Sequence, residues 1–465
     1  MWSFLAALSC TPELIPQPLG EAEEPAESQE SSASGLWLPS SAEDPWRSDR
    51  VIIIGAGPSG LAAAMDLPGA LVLEAGDRTG GRAPGSNQLL YFVDSVQQRE
   101  VGIQDSPERA AEEWEELTGS PPTQATWDYW AALPDVSQRL HDLGLDFILN
   151  PPSPWSGLSR LHGAKDPGLP ATLQGAWPED VELRLNTRVT GLRMKDGRVV
   201  GVTTETGDID AGVVLIASGG FSNRVDLISE YVGWQDGTWG TNGKWGGEGD
   251  AVDWAIDHGL GLEAMDAMGS YADSIAMSPE QGALLVDKVG PQPYIWVNSA
   301  GERFVDESQD FSLYLANKIQ EESGPVWTLI TWEELSIRIP EEHHGALATV
   351  ICADSWEELA EEIEVDANGL EHTLATLRGS SLKTEGQPCA YPPGLSAAKG
   401  YGGLLVDNKQ RVLDAGGVPV PGLYAAGEAS GMAVPGMGGL YGFDGSLSAV
   451  VWSGWRAAEA INTRE

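Results

Sequence analysis

The chain has 465 residues, 57 of them glycine and 42% of them hydrophobic, which suits two or three structural units of α/β type with many tight turns. Its 69 acidic residues against 27 basic ones give a formal net charge of -42. That balance repels phosphate backbones and argues against a nucleic-acid partner, and it reads as a heavily solvated surface. No run of eighteen apolar residues occurs, so no segment reads as a membrane-spanning helix.

At the N-terminus, MWSFLAALSC is a short apolar stretch similar to the tail of a bacterial lipoprotein signal, with Cys10 as the lipidated residue. It lacks the basic start of such signals. Residues 11–46 are acidic, rich in Pro and Ser, and without apolar periodicity. Such a segment cannot bury enough surface to offset its ordering entropy. Residues 1–47 are therefore expected to be a signal-like start and a disordered tether. This favours a lipid-anchored or other extracytoplasmic location, with the membrane reached only through Cys10; a cytoplasmic protein is the alternative.

Val51–Ile54 is a continuous apolar run, as expected for a parallel strand buried on both faces. Gly55-Ala56-Gly57-Pro58-Ser59-Gly60 follows, and Leu61–Met65 begins a helix that Pro68-Gly69 ends after about two turns. Leu71–Glu74 is the second strand. A lone GxGxxG is weak, but one that follows a strand, opens a helix and leads to an acidic residue ending the next strand meets the demands of a dinucleotide site. Gly55 allows the tight turn, Gly57 lets backbone approach a pyrophosphate, and Gly60 lets helix and strand pack closely. The helix N-terminus, with Pro58 and Ser59, points amides at phosphates, and Glu74 can accept from ribose hydroxyls.

Further strands are expected at 181–185, 188–194, 198–204 and 213–217, with a hairpin turn at Lys195-Asp196-Gly197-Arg198. Helical stretches are expected at 250–258, 355–363 and 446–461. The cysteines Cys10, Cys352 and Cys389 include no CxxC, so neither a zinc or iron–sulfur site nor haem attachment is expected. Cys352 and Cys389 read as two inert buried thiols in preference to a disulfide. His343-His344 has no acidic or cysteine partner at ligand spacing, so no metal is expected.

Three longer segments carry a resemblance. Glu74-Ala75-Gly76-Asp77-Arg78-Thr79-Gly80-Gly81-Arg82 resembles the continuation that many FAD proteins place after the second strand. Val213–Phe221, with Ala217 and Gly219, resembles their strand ending in ATGG-F, and Pro421–Glu428, with Gly427, resembles PGLYAAGE. Together these resemble the family containing soluble fumarate reductases, urocanate reductase and 3-ketosteroid dehydrogenases. The resemblance implies an α/β fold, with a Rossmann-like, three-layer FAD domain built on a parallel sheet and a β-meander. That domain would be split between 48–269 and 399–465, with an α+β capping domain inserted at 270–398. It further implies FAD contacts from Ala75, Arg82, Val189, Ala217, Gly219, Gly427 and Glu428, and from a helix starting at Ser446 and Leu447 whose amides face the flavin N1/O2 edge. Residues 82–95 hold no histidine for covalent attachment, so FAD is expected to be non-covalent.

The same resemblance implies hydride transfer between flavin N5 and a CH–CH bond activated by a carbonyl or carboxylate. Its proton donor, an arginine in fumarate reductases and a tyrosine in ketosteroid dehydrogenases, maps onto Phe311. A carboxylate-binding arginine maps onto Tyr441, and two histidines map near Tyr271 and Lys399. Phe311 becomes part of a substrate wall, and Tyr441, Tyr271, Tyr401 and Lys399 become the candidates for polarising substrate and moving a proton. Aromatic replacement of cationic clamps suits a carbonyl-bearing ring or apolar substrate better than a dicarboxylate. Trp234, Trp239 and Trp245 line or cover the pocket before Gly247-Glu248-Gly249, and Arg303 with Glu307 reads as an internal ion pair. No second GxGxxG serves a nicotinamide, so electrons are expected to pass to a quinone or carrier protein. The competing readings are a flavoprotein oxidase and a surface lipoprotein that keeps the flavin fold without catalysis.

Overall fold

The apolar runs become a twisted sheet of six strands: β1 (Val51–Ile54), β2 (Leu71–Leu73), β3 (Glu182–Arg184), β4 (Val213–Ile216), β5 (Arg411–Leu413) and β6 (Pro419–Ala425). Their order is β5-β6-β4-β1-β2-β3, parallel throughout except for β5, which runs antiparallel to β6. The computed structural model describes residues 50–86, 88–118, 121–152, 157–234, 239–241, 246–278, 282–285, 293–307, 318–319, 322, 324–339, 349–377, 382–430 and 446–464. The expectations for residues 1–47 with Cys10, and for Trp245, Phe311, His343, His344 and Tyr441, lie outside the described residues.

Successive strand residues point to opposite faces, and the sheet uses both. Ile53, Val72 and Leu215 enter one core with the helices α1 (Pro58–Ala64), α2 (Gln124–Asp142) and α4 (Leu447–Asn462). Ile52, Ile54, Leu73, Val214 and Ile216 enter a second core, shared with the meander Val189–Lys195, Arg198–Thr204, Gly207–Asp210 and with α3 (Asp250–His258). Each fully buried aliphatic side chain contributes roughly 1.5–3 kcal/mol, which is why a continuous apolar run is tolerated only in a covered strand. The meander turns at Asp196 and Gly197, both with positive φ (49° and 75°), as a tight two-residue hairpin requires.

α1 is short and wholly buried, and α4 crosses directly over it. A Cβ on Gly454 of α4 would stand 3.1 Å from the Ser59 carbonyl carbon, so glycine sets the closeness of that crossing. The helices Pro107–Thr118 and α2 have no counterpart in the sequence expectations; α2 continues through Pro134, which disguises its pattern.

A second, antiparallel sheet joins Ile295–Val297, Trp327–Thr331, Pro388–Tyr391 and Ile351–Cys352. Here the cysteine expectation is corrected: Cys352 and Cys389 form a disulfide. They occupy facing positions on adjacent strands, a juxtaposition that a separation of 37 residues hides in the sequence. A third sheet pairs Met268–Ser278, which contains Tyr271, with Pro393–Gly400, and sets Gly269 opposite Lys399. Trp234 is core packing, beside Phe221 and Leu227.

Candidate functional site

At the carboxyl ends of β1, β2 and β4 lies a cavity of about 320 Å³. Its first wall is the turn after β1. Gly55 N–H donates to the Leu73 carbonyl (2.8 Å) and Gly80 N–H to the Ala56 carbonyl (2.8 Å), which locks the loop to β2 and to the segment after it. Gly55 has φ +102°, and a Cβ there would press on the Ala217 carbonyl carbon at 2.9 Å and on Ser218 Cα at 3.2 Å, so the fold itself demands glycine. Gly57 differs. Its φ is -75°, and a Cβ would meet nothing nearer than Gly81 Cα at 3.9 Å. The protein leaves room for a methyl group at Gly57, and that room faces the cavity.

Glu74 is buried, with Oε2 accepting from Ala56 N–H (2.7 Å) and Oε1 from Gly76 N–H (2.8 Å). These contacts aim the carboxylate and leave it lone pairs for a further donor. On the opposite wall, Glu428 Oε2 and Ser218 Oγ are sealed from solvent with no hydrogen-bond partner among the described residues. Burial pushes the Glu428 carboxyl up, tempered first by Arg82 and then by Lys399. Arg82 is held by Ser222 Oγ.

Of the residues expected to hold a dinucleotide, Gly55, Gly57, Pro58, Ser59, Glu74, Ala75, Arg82, Val189, Ala217, Gly219, Glu428 and Leu447 all line this cavity. Gly60, Gly427 and Ser446 stand behind it. A Cβ on Gly60 would reach the Gly55 carbonyl carbon at 3.1 Å, and Gly427 N–H donates to Ser453 Oγ of α4 (2.9 Å). Ser446 precedes α4 and bridges to Leu90. The sequence reading missed Thr187, Arg188, Ser218 and Asp250, which also line the cavity; Ser218 stands within the Val213–Phe221 segment, between the two residues singled out there, and the other three stand in no motif.

Lys399 and Tyr401 come together, with Lys399 Nζ 5.5 Å from the centre of the Tyr401 ring. A Cβ on Gly269 would meet both, at 3.0 Å from Lys399 Cγ and 3.0 Å from Tyr401 Cε2. Tyr271 lies on the strand of Gly269, opposite Ser396. Arg303 and Glu307 form the expected internal ion pair (2.6 Å), and Glu307 also accepts from Trp296 N–H (2.6 Å).

A doubly covered parallel sheet, a glycine turn with room that the fold does not require, a buried carboxylate with lone pairs to spare and unpartnered polar atoms at the same cavity are the features of a dinucleotide-binding protein. Residues 50–444 match the family model FAD_binding_2, "FAD binding domain", and the chain belongs to that family. It is 25% identical over 446 residues to the vinyl phenol reductase of Lactiplantibacillus plantarum, covering 82% of this chain and 90% of the relative. With the urocanate reductase of Eggerthella lenta it shares 26% identity over 445 residues, 82% of this chain and 70% of the relative. The fold is similar to that of 3-ketosteroid Δ1-dehydrogenase from Sterolibacterium denitrificans, with TM-score 0.71, 19% identity and coverage of 90% of this chain and 100% of that one. The protein is an FAD-dependent oxidoreductase of the dehydrogenase and reductase class acting on CH–CH groups.

Proposed function

We propose that the substrate is a ring-bearing or apolar molecule whose carbon–carbon bond is activated by a conjugated oxygen, and that it is not a small dicarboxylate. Bound FAD supplies a hydride acceptor or donor at N5. The observation that carries the proposal is Lys399, seated against the Tyr401 ring and near enough to Glu428 for its charge to temper the upward push of burial on that carboxyl. A single ammonium beside the flavin cavity can donate to one carbonyl or phenolate oxygen and stabilise the negative charge that develops there. Tyr441, by its place in the sequence, is the second donor to that oxygen, and Tyr401 positions Lys399. Lys399, Tyr401 and Tyr271 are the groups able to hold the transferred proton. The names of the vinyl phenol reductase and of the ketosteroid dehydrogenase complex with 1,4-androstadiene-3,17-dione both denote ring molecules carrying such an oxygen, which supports the choice.

The same proposal makes 48–269 and 399–465 the FAD domain and 270–398 its cap. The second antiparallel sheet, with all its strands inside 270–398, is consistent with that division. FAD is non-covalent, and electrons are exchanged with a quinone or carrier protein. The Cys352–Cys389 disulfide suits an oxidising, extracytoplasmic compartment.

Acid precipitation of the purified protein should release yellow flavin into the supernatant. Ketosteroids, vinyl phenols, enoates and dicarboxylates are then each mixed with oxidised and with dithionite-reduced holoenzyme, and the flavin spectrum is followed. A ring substrate should change the flavin redox state, and Lys399→Met should slow that change at least about tenfold, or about 1.4 kcal/mol, with FAD retained. Fumarate reduction at rates typical of an enzyme would overturn the proposal.

A further inference from the structure

The cavity that takes FAD is lined by four acidic side chains, Glu74, Glu248, Asp250 and Glu428, and by two basic ones, Arg82 and Arg188. A dianionic pyrophosphate therefore enters a site with more negative than positive side chains, in a chain of net charge -42. How each cation is deployed then matters to cofactor retention.

Arg188 is not directed at the ligand alone. Its Nη2 reaches both oxygens of Asp250, at 2.7 and 3.0 Å. The two residues are 62 positions apart and approach from different elements, the segment leading into the meander and the first turn of α3. Both side chains are partly exposed, 37% and 26%, so the pair sits on the rim of the cavity rather than its floor. Each end is anchored. On the Arg188 side, Thr187 N–H donates to the Glu74 carbonyl (2.8 Å), which ties the segment to the residue that faces the ribose. On the Asp250 side, Gly249 N–H donates to the Gly220 carbonyl (3.0 Å) and Asn223 N–H to the Gly247 carbonyl (3.0 Å). Arg224 further holds the first turn of α3 through Asp253 (2.7 Å). Two firmly held walls are thus joined at the rim by one ion pair.

We infer that Arg188 and Asp250 are a clasp over the adenosine end of the FAD site, which slows cofactor release without touching the chemistry. Neither residue belongs to the glycine, GGR or PGLYAAGE segments, and the role belongs to the pair rather than to either charge.

The test is the rate of FAD release from holoenzyme, read as recovery of flavin fluorescence on dilution, with circular dichroism and thermal midpoints checking the fold. Arg188→Gln and Asp250→Asn should each release FAD at least about tenfold faster than the unchanged protein. The exchanged double variant, Arg188→Asp with Asp250→Arg, should bring the rate back to within about threefold. Because the pair is partly exposed, 1 M salt should speed release from the unchanged protein and barely alter the single variants. Release at the original rate from both single variants overturns the clasp. Slower release from Asp250→Asn, alongside faster release from Arg188→Gln, also overturns it, since Arg188 would then only screen the ligand. Two fast single variants with no recovery in the exchanged double variant would leave two separate contacts and no clasp.

Discussion

Gly55 and Gly57 stand two residues apart in one turn, and opposite outcomes are expected when each becomes alanine. At Gly55, φ of +102° places an L-residue in a strained conformation, which costs about 1–3 kcal/mol. The new methyl would also lie 2.9 Å from the Ala217 carbonyl carbon and 3.2 Å from Ser218 Cα. Both are backbone atoms at the end of β4 and cannot swing away, so relief requires a shift of the loop, at about a further 1–3 kcal/mol. The sum is roughly 2–6 kcal/mol. With about 2.1 cal/mol/K of unfolding entropy per residue, a unit spanning Pro45–Glu465 loses about 1 °C for each kcal/mol, so the apo-protein midpoint should fall by roughly 2–6 °C. At Gly57, φ is -75° and the methyl has room, so the apo-protein midpoint should stay within about 1 °C while FAD affinity falls at least about tenfold. Gly102→Ala is the control: φ is +79° with nothing near its Cβ, which isolates the conformational cost from the clash. Differential scanning fluorimetry of flavin-free protein and fluorescence titration with FAD give both numbers. A Gly55→Ala protein with an unchanged midpoint, or a Gly57→Ala protein that binds FAD normally, would refute the division of labour between fold and ligand.

Reducing the Cys352–Cys389 bond, or replacing both residues with alanine, should cost roughly 4 kcal/mol for a loop of 37 residues, visible as a lower thermal midpoint. Of three cysteines, at most one should react with a thiol reagent in denaturant before reduction. His162 is fully buried, with Ser95 Oγ at 2.8 Å from Nε2 and the Arg160 carbonyl at 2.9 Å from Nδ1, and burial pushes its imidazole down to about 4. It is therefore neutral in the fold, while the unfolded chain protonates it near pH 6.5. Its contribution is complete above about pH 6.5 and lost as pH falls toward 4, about 3 kcal/mol in all. Urea unfolding from pH 7 to 4.5 should trace that loss, and imidazole NMR of the folded protein should find no protonation of His162 above about pH 5.

The nucleotide half of this protein was written locally. Val51–Ile54, the glycine turn and Glu74 lie within one continuous stretch, where apolar runs, turn residues and a following carboxylate act on close neighbours, so spacing alone foretold strand, turn and helix. The PGLYAAGE segment, far along the chain, was legible only through its resemblance to the family's segment, since no local pattern ties it to the glycine turn. What the sequence could not reveal were partnerships made by topology. Arg188 meets Asp250 across 62 positions, Cys352 faces Cys389 only because two strands pair antiparallel, and Lys399 rests on Tyr401 beside Gly269 of a distant strand. Periodicity misses such pairs because it reports which face of an element is buried, while the side chain met on that face depends on strand order and register. Gly57 draws the line most sharply. Sequence marks it as the second glycine of the motif, where backbone approaches a pyrophosphate, and the packed structure adds that the fold itself makes no demand for glycine there, since its Cβ would meet nothing nearer than Gly81 Cα at 3.9 Å.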